Sequence, residues 1–241
     1  MASLTALVTA AVAGGVTGWA LRPTIARLAV PDGQPWSSSC AACQKRFTWR
    51  SGPALSPRGR CGCGARLGAA PLIPELIAAG SFTALVAVLG VDTHLLPALW
   101  LAACGTPLAV IDTAVQRLPN PLTGTAAAGT AIILLALTAA SGSTGPLLRA
   151  GIGAAVLGLV FFLFALAPSN GYGDAKLAPT VGAVLGWYGW IDLVHGVAAA
   201  FFLFGAYAAT LLTVFRSRGR RDASFGPAML TGALLAVLVN A

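Results

Sequence analysis

The sequence predicts an all-α, polytopic membrane protein of about eight transmembrane helices with one cysteine-bearing cytoplasmic loop. Three observations carry that prediction. Of the 241 residues, 57% are hydrophobic and only 9% are charged, against roughly 25% charged in soluble domains. The apolar residues fall in blocks close to the roughly 20 residues that a helix needs to cross a bilayer core. The polar residues are gathered into one long stretch, 22–72, and a few short turns. The apolar excess excludes disorder, and 29 glycines without a three-residue period exclude collagen.

The first span is expected at 3–21. No basic residues precede its apolar run and the charges follow it, so it reads as a retained helix rather than a secretory signal. The polar stretch 22–72 comes next, and seven further spans follow at 73–91, 95–111, 124–140, 147–167, 176–191, 193–215 and 227–241. As domains these are a first helix (1–21), a cysteine loop (22–72) and a membrane-embedded remainder (73–241). Numbering the connections alternately puts fourteen of the fifteen Lys and Arg on one side and leaves Arg149 alone on the other. Cationic loops stay cytoplasmic during insertion. The long loop is therefore expected inside and both termini outside, in the inner (plasma) membrane. Basic loops facing anionic headgroups account for the net charge of +8, so the lipid bilayer is an expected partner and nucleic acid is not.

Several residues have bland readings. Trp187, Tyr188 and Trp190 read as an interfacial aromatic belt. His94 and His195 read as lone histidines in outer turns, Cys104 as a packing residue in the third span, and the glycines of 151–158 as sites of close helix contact.

The loop at 22–72 holds Cys40 and Cys43 in CAAC and Cys61 and Cys63 in CGC. Cytoplasmic thiols stay reduced, and four of them in two close pairs can close a tetrahedral zinc site. CxxC lets the backbone turn and present two sulfurs to one ion. CxC narrows that bite, and unligated thiols are the alternative.

Acidic residues number only seven: Asp32, Glu75, Asp92, Asp112, Asp174, Asp192 and Asp222. Asp112 closes the third span and Asp174 opens the sixth, so both are expected at the cytoplasmic end of a helix and at one depth. Carboxylates at the edge of a low-dielectric core are costly and functional by default. Two of them brought together share one proton, which supplies an acid and a base for aspartic peptide hydrolysis. Gly171 and Gly173, lacking Cβ atoms, would let an extended backbone approach Asp174. A helix-capping Asp after a glycine turn, a proton-coupled transporter and a non-catalytic zinc-bearing scaffold are the other readings of these residues.

DTAVQRLPNPLT (112–123) and GYGDAKL (171–177) resemble the two motifs of the prepilin peptidases, also called type IV leader peptidases, of the GxGD class of intramembrane aspartic proteases. The resemblance extends to the Arg after the first span, the two cysteine pairs, PLIPEL (71–76) and SFGPAML (224–230), in the same order. It implies that Asp112 and Asp174 are the catalytic pair, with Gly171, Gly173, Lys176, Pro119 and Asn120 as motif support and Cys40, Cys43, Cys61 and Cys63 as metal ligands. It implies prepilin or pseudopilin precursors as substrates, cut after a short basic leader ending in Gly at the cytoplasmic face. Larger members also methylate the new amino terminus with S-adenosylmethionine, an activity associated with the cysteine loop. Here the second pair is CxC and the stretch between the pairs is shorter than is usual.

Overall fold

The computed structural model describes residues 2–31, 33–46, 59–166, 172–214 and 224–240. Among them the chain forms nine α-helices: α1 (Leu4–Ala20), α2 (Arg22–Leu28), α3 (Ile73–Leu89), α4 (Leu95–Val115), α5 (Asn120–Ser141), α6 (Gly145–Ala165), α7 (Gly173–Tyr188), α8 (Trp190–Val214) and α9 (Gly226–Asn240). The only β-pairing described is two isolated bridges in the cysteine loop. An all-helical polytopic membrane protein is what the composition requires, because a bilayer leaves a spanning backbone no partner but itself.

Punctuation in the sequence explains most helix ends. Proline occupies the first turn of α2, α3, α5 and α6, where its missing N–H costs nothing. The Ser3 hydroxyl accepts the Ala6 N–H at the start of α1. Gly142 ends α5 in the left-handed region. Five segments are long and apolar enough to cross a membrane, counting 4–28 as one, while α3 and α9 are shorter apolar helices.

Helix α7, with 16 residues, lies at the centre and packs against α6, α9, α5, α8 and α4. Its closest partner is α6. A Cβ on Gly153 would fall 2.4 Å from the Gly182 carbonyl oxygen, so the two backbones meet where only glycine fits. The reading of 151–158 as a contact stripe holds at Gly153 and Gly158, whereas Gly151 meets nothing. By contrast α8 turns Phe202 and Leu212 outward, as a helix at the lipid-facing rim does.

Several details depart from the sequence reading. Helix α4 runs one turn past residue 111 to Val115, so Asp112 sits inside its last turn. Helix α7 begins at Gly173, ahead of its apolar run, because a carboxylate in the first turn suits the positive end of the helix dipole. Helix α8 begins at Trp190, which puts His195 in a helix and not in a turn. There its Nδ1 lies 3.1 Å from Asn240 Oδ1. Trp187 is buried beside Leu134 and Ala150, so it is a core residue and not part of a belt. Tyr188 donates its hydroxyl to the His94 carbonyl, and Trp190 remains exposed.

The largest departure is α2, which begins the stretch 22–72 with a helix. Its Ile25 and Leu28 pack on Val110 and Ile111 of α4, while Ala26 packs on Cys40, Cys61 and Leu67. Arg22, only 2% exposed, forms a forked ion pair through Nε and Nη2 with both carboxylate oxygens of Glu75 in α3. A second donation from Nη2 reaches the Ala70 carbonyl at 3.3 Å. This planar fork suits arginine and not lysine.

Removing one partner of a buried pair leaves a charge without compensation, at a cost of about 3–5 kcal/mol. Arg22→Met is therefore expected to lower the thermal unfolding midpoint in detergent sharply. The double variant Arg22→Met/Glu75→Leu should recover much of that loss.

Candidate active site and cysteine cluster

The four loop cysteines meet. Each pair sits in a tight turn closed by an antiparallel bridge, Ser39 with Arg46 and Arg60 with Arg66. In the first turn the Cys40 N–H donates to the Lys45 carbonyl at 2.9 Å and Gln44 takes a left-handed φ of 57°. In the second the Cys61 N–H donates to the Ala65 carbonyl at 2.8 Å and Gly64 takes φ 88°. Cys40 and Cys63 are 3.8 Å apart at sulfur, Cys43 and Cys61 3.5 Å, and all four sulfurs lie within 4.8 Å of one another. Tetrahedral zinc with bonds of about 2.3 Å spaces its sulfurs by about 3.8 Å, so the donor set and spacing fit that ion.

The narrow CxC bite is therefore no obstacle. The Cys61 and Cys63 sulfurs lie within the same 4.8 Å of each other and of both sulfurs of the first pair, as one shared ion requires. Backbone N–H groups of Cys43 and Ala42 hold the Cys40 thiol down at about 7, while the neighbouring sulfurs of Cys61 and Cys63 push the Cys43 thiol up to about 12. Cys104, on α4, lies far along the chain from this cluster and is half-buried.

Asp112 and Asp174 come to one end of the bundle, the first in the last turn of α4 and the second in the first turn of α7. Asp112 is 5% exposed, and its Oδ2 has no hydrogen-bond partner. The Gly226 backbone N–H and the Ser224 hydroxyl face its carboxyl. Asp174 is half-buried and close enough for the Asp112 carboxyl to act on it electrostatically. An orphaned, nearly buried carboxylate oxygen is expensive in a bundle of low dielectric constant, and such groups collect at working sites.

The motif residues tie the two helices together. Pro119 caps α5 and its carbonyl accepts the Leu122 and Thr123 N–H groups. Asn120 accepts a hydrogen bond from Lys176 Nζ at 2.8 Å, which fastens the turn after Asp112 to the helix that carries Asp174. Gly173 packs on Leu118, which is itself buried beneath Gly226. Gly171 lies outside the described residues.

Three features escaped the sequence reading of the site: the segment holding Ser224 and Gly226, Leu118, and helix α2. Ser224 and Gly226 adjoin Asp112, and Leu118 forms the floor shared by both motifs. The signal for Ser224 and Gly226 was present in SFGPAML (224–230), and Leu118 lies in DTAVQRLPNPLT (112–123), in each case without a physical role attached to these residues. The third, α2, links the cysteine cluster to Val110 and Ile111, immediately before Asp112.

Three of the cavities among the described residues carry no group to meet the charge of S-adenosylmethionine. Those between α3, α4, α7 and α9, between α1, α3 and α4, and around Phe161 and Phe225 are lined without a charged side chain. The charged amino-acid end of that cofactor would find no counter-ion in them.

Residues 95–215 match the type IV leader peptidase family. The prepilin leader peptidase/N-methyltransferase of Dickeya chrysanthemi is 32% identical over 236 residues, covering 88% of this chain and 80% of the relative. No solved structure matches the chain.

A Cβ added at Gly226 would stand 2.6 Å from Asp112 Oδ2, whereas one at Gly124 in α5 would meet nothing within 4 Å. Gly226→Ala is expected to destabilise the fold by more than about 1 kcal/mol. Gly124→Ala should stabilise it by up to about 1 kcal/mol through helix propensity. Paired thermal unfolding in detergent reads both.

Proposed function

The chain belongs to the type IV leader peptidase family, and we propose that within it the chain is an intramembrane aspartic endopeptidase. Its substrates on this reading are prepilin-like precursors, cut at the cytoplasmic face of the inner membrane after a short basic leader. The observation that carries the proposal is the buried, unpartnered Asp112 oxygen set against Asp174 at one end of the bundle.

The chemistry follows from two carboxyls holding one proton between them. The ionised member takes a proton from a water as its oxygen attacks the scissile carbonyl carbon. The protonated member gives its proton to the carbonyl oxygen, so charge does not build up there. Collapse of the tetrahedral intermediate breaks the C–N bond, and the leaving nitrogen takes a proton from the dyad. Gly173 keeps the approach to Asp174 free of a side chain. The bond between Lys176 and Asn120 holds the two motifs in register.

Orientation is part of the same proposal. The loop from 22 to 72, rich in Arg and Lys, favours the cytoplasmic side by the positive-inside rule, with both termini outside. Cys40, Cys43, Cys61 and Cys63 would hold zinc, which there supplies folding energy to a loop with little core of its own.

Incubating the purified protein in detergent with a synthetic prepilin tests the reading. Asp112→Asn and Asp174→Asn are each expected to lose cleavage by at least about a thousandfold while folding normally. Retained cleavage in either variant would remove the dyad mechanism, and a wild type that cuts no prepilin would favour a transporter or scaffold.

For the cysteine loop, elemental analysis is expected to find about one zinc per chain. Cys61→Ser should lower that content and the unfolding midpoint together.

A further inference from the structure

A cavity of about 80 Å³ lies between α3, α4 and α9. On α4 it is lined by Ala102, Gly105 and Ala109, and on α9 by Leu230 and Leu234. Steps of three and four residues keep side chains on one helix face. The next such step after Ala109 is Asp112, and the step before Leu230 on α9 is Gly226. Both walls thus lead to one place, where the orphaned Asp112 Oδ2 lies against the missing side chain of Gly226. At the lip, Ile77 of α3 is 40% exposed, so the cavity opens on the outside of the bundle, where lipid would lie.

The lining asks for an apolar occupant. Two of its three hydroxyls are used within their own helices, Thr106 donating to the Ala102 carbonyl and Thr231 to the Pro227 carbonyl, each at 2.8 Å, and Ser81 supplies the third. Small residues on α4 permit a second helix to approach closely. The volume is about half that of an engineered 150 Å³ cavity known to bind benzene, which suits one inserted apolar side chain.

Resting on the peptidase reading above, we propose that this groove seats the apolar helix of the precursor, from the scissile bond at Asp112 outward along α4 and α9. A precursor cut at one end of the bundle must carry its apolar helix back through the bilayer from that point, and the cavity begins one helical step from it on both α4 and α9. Asp112 and Ala102 are ten residues apart, or about 15 Å along a helix. A precursor residue about ten positions past the cut therefore lies opposite Ala102.

Photo-crosslinking tests this on the full chain. A synthetic prepilin carries benzoylphenylalanine at successive positions of its apolar helix and is bound to the Asp112→Asn variant, with wild-type cleavage of the same peptides run in parallel. Adducts are expected on Ala109 and Leu230 for probes two to four residues past the cut, moving to Ala102 and Leu234 near position ten. Ala102→Phe, which fills the cavity, should raise KM for the intact precursor about tenfold with little change in kcat. Wild-type cleavage with adducts on α6 or α8, or on lipid alone, would overturn the groove and leave the peptidase reading standing. Absence of wild-type cleavage would remove both.

Discussion

An acidic side chain that is almost wholly enclosed, with one oxygen left unpaired, is the constraint around which this bundle is arranged. Asp112 has that property, and burying a polar group without a partner costs on the order of 1–3 kcal/mol. The surroundings fit an open coordination shell and not a closed one. Gly226 withholds a side chain, Leu118 supplies an apolar floor, and Asp174 brings a like charge to the same end of the bundle.

The strain has to be borne by the packing around it. Helix α4 is held from two sides, by α9 across Gly226 and by α2 through Ile25 and Leu28. Helix α2 is in turn fixed by the Arg22 fork to Glu75 and by Ala26 against the cysteine turns. The cysteine turns are therefore joined to the helix carrying Asp112 through α2, whose Ala26 packs in one cluster and whose Ile25 and Leu28 pack in the other.

Much of this was legible in the chain. Scarcity made the acids informative, since seven carboxylates in 241 residues leave few candidates, and the helix ends that hold Asp112 and Asp174 follow from span lengths. The cysteine set was legible as a pattern. Its closure was not, because local spacing suggested that CxC would be the weak half, whereas the sulfurs pair between turns. Helix α2 was illegible for a related reason: seven residues beginning with Arg-Pro carry too little periodicity to announce a helix, and its burial depends on surfaces distant in sequence. Trp187 was misplaced because an aromatic near a span end suits the interface equally well until its neighbours are known.

Composition and the order of polar and apolar blocks by themselves determined that this is a multi-pass helical membrane protein, and residue identity at two helix ends singled out the carboxylates. Those properties depend only on local transfer free energy and helix geometry, which a linear chain already encodes. Which carboxylate is orphaned, which arginine meets Glu75, and where a cavity forms between α3, α4, α7 and α9 were decided by tertiary packing. Each depends on groups from separate helices meeting in space, and no local preference specifies that encounter.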